Sequence, residues 1–149
     1  MTDLRIHLGG WDSLRSQARA VRTAVFVVEQ KIPLHLEQDE MDPVCLHAVA
    51  IDADGQPVGT GRLLPDGHLG RMAVLAHVRH GGIGAALLQA LTEAAHARGD
   101  RAVVLNAQIN AEKFYLRHGF VRDGAPFVEA GIVHVCMRRE SLDSSGQGL

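Results

Sequence analysis

The sequence predicts a mixed α/β fold of the α+β kind: a mostly antiparallel central sheet flanked by helices. Three observations lead there. Residues 46–75 read as three strands separated by the turn signals Asp54-Gly55 and Pro65-Asp66-Gly67. A helical period replaces the strand period between about Gly82 and Arg98. A short apolar strand, a second short helix and a final hairpin follow, so a βαβ crossover joins an antiparallel front half to the remainder.

Each element has its own signal. Leu4, Ile6 and Leu8 alternate with polar neighbours, which predicts a first strand over residues 3–8, broken by Gly9-Gly10. Asp12 or Ser13 is placed to cap a helix, and Trp11 reads as a staple ahead of it. Leu14, Ala18, Val21, Val25 and Val28 recur at helical spacing, so that helix is expected to reach about Gln30, with Pro33 stopping the chain. Leu36 to Pro43 carries four acidic residues without apolar periodicity and reads as a solvated loop. Leu46–Ile51, Val58–Leu64 and Leu69–Leu75 are the meander strands. Ile83, Leu87, Leu91 and Ala94 share one helical face, and Gly99 is placed to end that helix in the left-handed conformation. Ala102–Leu105 is an all-apolar strand. Asn110 is expected to cap a helix containing Phe114, Tyr115 and Leu116 that stops at Gly119. Phe127 and Ile132–Met137 make a hairpin turning near Ala130-Gly131, and an exposed last strand suggests pairing with a second copy.

Composition narrows the function classes. The chain has 149 residues, 46% hydrophobic and 21% charged, as expected of one globular domain spanning 1–149 with a polar tail over 141–149. A net charge of -2 removes the global electrostatic case for nucleic acid or an anionic membrane surface. No apolar run approaches the ~20 residues of a membrane helix, and MTDLRIHLGGWDS lacks the apolar core of a signal peptide. A cytoplasmic setting is the expectation. Cys45 and Cys136 sit in apolar runs and make neither a disulfide framework nor a zinc signature; the nine histidines show no metal-ligand spacing, so no metal is expected.

The chemistry concentrates in Arg71–Leu88. A strand ends there, a basic turn follows, and glycines open a helix: Arg79-His80-Gly81-Gly82-Ile83-Gly84. The first turn of a helix offers backbone N–H groups without intrahelical acceptors, and its dipole favours anions. Glycines let a phosphate approach that backbone closely, and Arg79 adds a fork of donors. The pattern matches neither the dinucleotide fingerprint nor the nucleoside-triphosphatase loop.

This turn resembles the acetyl-CoA pyrophosphate loop of the GNAT acetyltransferase superfamily, Q/R-x-x-G-x-G/A. Asn110 to Phe120, beginning thirty-one residues after Arg79, resembles the family's second signature, which closes on Tyr, Gly and Phe. Arg22-x-x-x-Phe26-x-x-Glu29-Gln30 and the acidic stretch Glu37–Asp42 resemble the ElaA-like bacterial branch. The resemblance covers about residues 4–140 and implies acetyl-CoA as co-substrate. It implies main-chain contacts from Met72, Ala73 and Val74 to the pantetheine arm, in a gap where that strand splays from its parallel neighbour. The diphosphate would meet Arg79, His80, Gly81, Gly82, Ile83, Gly84 and Ala85, with Asn110 and Phe114 also on the cofactor. Tyr115, the chain's single tyrosine, takes the position of a general acid for the departing thiolate. Candidate bases are Glu29, Glu37, Asp39, Glu40, His47 and His134, among which spacing does not choose. Phe26, Glu29, Arg62 and His134 are the expected acceptor-side residues, Arg62 as a possible holder of an anionic group. The implied reaction is direct attack of a small primary amine on the thioester, with a backbone N–H near Val74 holding the oxyanion. The alternatives are a non-catalytic acyl-CoA-binding or sensing module and a protein lysine or N-terminal acetyltransferase.

Overall fold

The computed structural model describes residues 4–141; the expectations for residue 3 and for 142–149 lie outside them. The chain runs β1 (Arg5–Gly9), α1 (Trp11–Arg22), a π-helical continuation (Thr23–Glu29), the single turn α2 (Leu34–Glu37), β2 (Leu46–Ile51), β3 (Pro57–Leu63) and β4 (His68–Val74). It continues through α3 (Ile83–Arg98), β5 (Ala102–Gln108), α4 (Glu112–Arg117), β6 (Val121–Arg122), β7 (Phe127–Glu129) and β8 (Ile132–Glu140). These strands form one sheet in the order β1-β2-β3-β4-β5-β8-β6, with β7 also on β8. β4 and β5 are parallel, and the other pairings are antiparallel. The expected mixed, mostly antiparallel sheet flanked by helices is the observed one.

Strand alternation divides the core between two faces. Val49 and Ile51 pack under Trp11, Leu14 and Ala18 of α1. Ala48 and Ala50, on the other face, join Ile83, Leu87, Leu88, Leu91 and Ala95 of α3. Gly59 and Gly61 of β3 let α3 lie close. A Cβ at Gly59 would sit 2.9 Å from both Ile83 and Leu87, and one at Gly61 would sit 2.9 Å from Leu91.

Several expectations need correction. Gly10, not Asp12 or Ser13, precedes α1, and Trp11 is its first residue. Trp11 is buried with its ring 4.7 Å from that of His47 and two arginines, Arg19 and Arg22, over it. The long first helix changes winding at Thr23: the Gln30 N–H donates to the Val25 carbonyl, five residues back, at 3.0 Å. That wider turn brings Phe26 inside and leaves Val28 61% exposed. β5 continues past Leu105 to Gln108, and Asn110 lies in a 3-10 turn instead of capping α4. The last strand is not an edge, because β5 flanks it on one side and β6 and β7 on the other. Ser141, assigned to the tail, is held by hydrogen bonds to Arg101 and Asp100. Among the described residues no helix is long and apolar enough to cross a membrane.

The feature that positions the site is a split in the sheet. β4 and β5 share only two register pairs, His68 with Val104 and Leu69 with Leu105. The strands part immediately afterwards. The cause lies on the other side of β4, where Gly61 of β3 is opposed by two residues, Arg71 and Met72. Such a bulge bends its strand. Arg71 carries the strain, with φ of 50°.

Candidate active site

A cleft of about 920 Å³ occupies the split. One wall is Met72, Ala73 and Val74 of β4; the opposite wall is Asn106, Ala107 and Gln108 of β5. Backbone groups of β4 facing β5 have no strand partner over this stretch.

At one end of the cleft stands the turn before α3. Gly82 has φ of 88° and supplies no side-chain cap, so the first N–H groups of α3 face outward unbonded by side chains. His80 is also left-handed, with φ of 68°. Arg79 donates through Nε to the Val74 carbonyl at 2.8 Å, and both terminal nitrogens reach the Glu29 carboxylate at 2.6 Å. Each partner strengthens the other's charge: the guanidinium lowers the Glu29 pKa, and the carboxylate raises that of Arg79.

Tyr115 comes from α4 and lies beneath the split. Phe114 and Phe120 meet its ring edge-on, with centroids 5.0 and 5.8 Å away. Burial pushes its phenol up to about 12, so it holds its proton throughout the neutral range. It lines the cleft. Tyr115 can therefore donate a proton into the cleft but cannot readily accept one.

Most of the sequence-selected residues converge here. Met72, Ala73, Val74, Arg79, His80, Gly82, Ile83, Gly84, Ala85, Asn110, Phe114, Tyr115, Phe26, Arg62 and His134 all line this one cleft. Gly81 and Glu29 do not. Glu29 is half-exposed and occupied by Arg79, which corrects its placement at the acceptor side.

The acidic stretch is a further correction, because it is neither a solvated face nor a free cluster of bases. Glu37 and Asp42 are buried against Arg22, itself 1% exposed. Asp42 also accepts from Arg62 at 2.8 Å, and Asp39 receives two bonds from Arg62 at 2.7 Å and one from Arg71 at 3.2 Å. Arg62 is thus buried and committed to the carboxylates of Asp39 and Asp42 instead of standing ready for an anionic acceptor group; its Nε is the one buried side-chain polar atom without a partner among the described residues. Three arginines and three carboxylates cancel, and the assembly ties residues 37–42 to the bulge of β4. The Arg71 Nε also donates to the Glu37 carbonyl at 3.1 Å. His47 is buried with its Nε2 2.8 Å from the Asp42 carbonyl, and burial lowers its pKa. Glu40 is exposed and lies outside the cleft.

From sequence, Gln30 had no place in the site and Gln108 no assigned role. Their amides bond reciprocally at 2.8 and 3.4 Å, and both residues line the cleft. The polar–apolar–polar order Asn106-Ala107-Gln108 carried the strand period that would have found the second of them. Arg71 was missed as well, since nothing in one sequence marks a bulge at an arginine.

A family model described as an acetyltransferase (GNAT) domain matches residues 16–141. The chain belongs to the GNAT acetyltransferase family. This GNAT domain is 40% identical over 124 residues to YjcF of Bacillus subtilis strain 168, an uncharacterised N-acetyltransferase, covering 80% of this chain and 88% of YjcF. Among solved structures, an acyl-CoA N-acyltransferase from Pseudomonas aeruginosa superposes with a TM-score of 0.82 at 33% identity, over 92% of this chain and 99% of that one. Escherichia coli ElaA superposes with a TM-score of 0.81 at 27% identity, with the same coverage of both chains. The split sheet and the glycine turn of this chain thus belong to a domain of a family whose co-substrate is acyl-CoA.

Proposed function

We propose that the protein transfers the acetyl group of acetyl-CoA to a primary amine of a small molecule, by direct attack within a ternary complex. The observation that carries this reading is the split itself. An extended thioester arm fits between β4 and β5, where strand hydrogen bonds from Met72–Val74 to β5 are missing. Its diphosphate fits the amino end of α3, where Gly82 presents backbone without a Cβ. Arg79 would exchange Glu29 for phosphate oxygens. A backbone N–H near Val74 would hold the oxyanion. Tyr115, kept protonated by burial, supplies the proton that the thiolate needs.

The Gln30–Gln108 bridge across the cleft favours a small acceptor over a protein chain. A sensing module on the same fold would not need a protonated phenol under the thioester.

Thiol release from acetyl-CoA across a panel of small amines tests the activity. Tyr115→Phe is expected to lower kcat by about a hundredfold while changing acetyl-CoA affinity little. Equal kcat in the variant would remove the acid from Tyr115. Binding of acetyl-CoA by an active-site-intact protein that acetylates no amine would favour the sensing alternative.

A further inference from the structure

We infer that His134 is the base that takes the proton from the attacking amine, an assignment that rests on the transferase reading above. Six side chains were open as bases from sequence, and the structure separates them. Glu29 is held by Arg79, Glu37 by Arg22, and Asp39 by Arg62 and Arg71. His47 is buried under Trp11 with its Nε2 on the Asp42 carbonyl, and Glu40 does not reach the cleft. His134 lines the cleft, and its Nε2 has no hydrogen-bond partner among the described residues.

Its tautomer follows from its partner. Nδ1 lies 2.7 Å from the Ile132 carbonyl oxygen. A carbonyl only accepts, so Nδ1 carries the hydrogen and Nε2 is left with a lone pair. The ring is further fixed by stacking on Phe127, with centroids 5.9 Å apart and planes inclined at 23°. A base held in one tautomer and one orientation is prepared for proton transfer.

Its side of the sheet is also determined. His134 is paired directly with Gln108, so both side chains project from the same face. Gln108 bonds to Gln30, which places that face on the side of α1 and its π-helical continuation. Ala107 and Val135, one residue along, point the opposite way into the core that contains α3 and Tyr115. The base and the acid therefore stand on opposite faces of the sheet at the split. Amine and leaving group approach a thioester carbonyl from different directions, and the opening in the sheet gives each its own proton partner.

The step balances. As the N–C bond forms, one N–H proton of the amine passes to Nε2. The electron pair of the breaking C–S bond leaves on sulfur, which takes the Tyr115 proton. Imidazolium and phenolate return to their resting forms by exchange with water, so amine and thioester give amide and thiol. Of the elements packed around His134, β7 brings one charged group to the cleft, the exposed Glu129.

The test uses the full chain with acetyl-CoA and an accepted amine. His134→Asn retains a donor for the Ile132 carbonyl but has no titratable nitrogen. Its kcat is expected to fall about a hundredfold and to lose the acidic limb of the wild-type pH profile. Acetyl-CoA affinity and melting temperature should stay near wild type, and Glu129→Gln should keep the limb. A His134→Asn variant that keeps both the limb and the rate overturns the assignment while leaving the transferase reading intact. Nitrogen NMR of the wild-type imidazole gives an independent check, since a proton found on Nε2 of the neutral ring also overturns it. A wild-type protein that binds acetyl-CoA yet releases no thiol with any amine overturns both.

Discussion

Asp39 meets two guanidiniums on the flank of the cleft. Its hydrogen bonds from Arg62, with the charge of Arg71 beyond, hold its carboxyl down at about 2. The unfolded value is about 3.9, so the folded state binds fewer protons between these limits. Stability from this group is complete above about pH 4 and is lost as pH falls through about 2. Asp39→Asn is expected to lower stability at neutral pH and to flatten urea midpoints between pH 4 and 2; an unaltered slope would count against the pairing. Sequence alone did not reveal this role. Four acidic residues in eight, without apolar periodicity, have the composition of a solvated loop. Their arginine partners lie 15 to 34 positions away, and only the fold brings Arg22, Arg62 and Arg71 to one point.

Elements were legible where two signals agreed. α3 combined an apolar stripe with left-handed glycines at both ends, Gly82 and Gly99, and its expected bounds were within one residue. The meander was marked by strand alternation and by turns at Gly55 and Gly67, both with positive φ. The first helix misled because apolar spacings of three and four continue through Val28, while the backbone changes winding at Thr23. That change puts Glu29 at the end of the segment and against Arg79, so one element closes on the glycine turn ahead of another. An exposed pair of this kind contributes roughly 0.2–1 kcal/mol. If diphosphate must displace it, Glu29→Gln should tighten coenzyme A binding by about two- to fivefold in calorimetry. Weaker binding would show that Glu29 orients Arg79 toward the ligand instead of competing for it.

At the scale of the whole molecule, the antiparallel front half and the βαβ crossover followed from the succession of short strands and three helices. The bulge that opens the sheet did not, because it depends on how β3 and β4 count against each other. Met72–Val74 were expected at the gap only through family resemblance, and their exposure along β5 has its cause in Arg71. Unpaired strand groups exchange their amide hydrogens readily. Within residues 70–74 and 106–108, the amides that face the split should therefore exchange faster than those bonded to β3 and β8, and saturating acetyl-CoA should slow them. Equal protection with and without the ligand would speak against an arm lying along the strands.

β1–β4 and β5–β8 are stitched along a seam only two residue pairs long, at the end remote from the turn before α3. A ligand that bonds to both lips restores the missing rungs, so the last stretch of the β-ladder is supplied from outside and lasts only while the ligand stays.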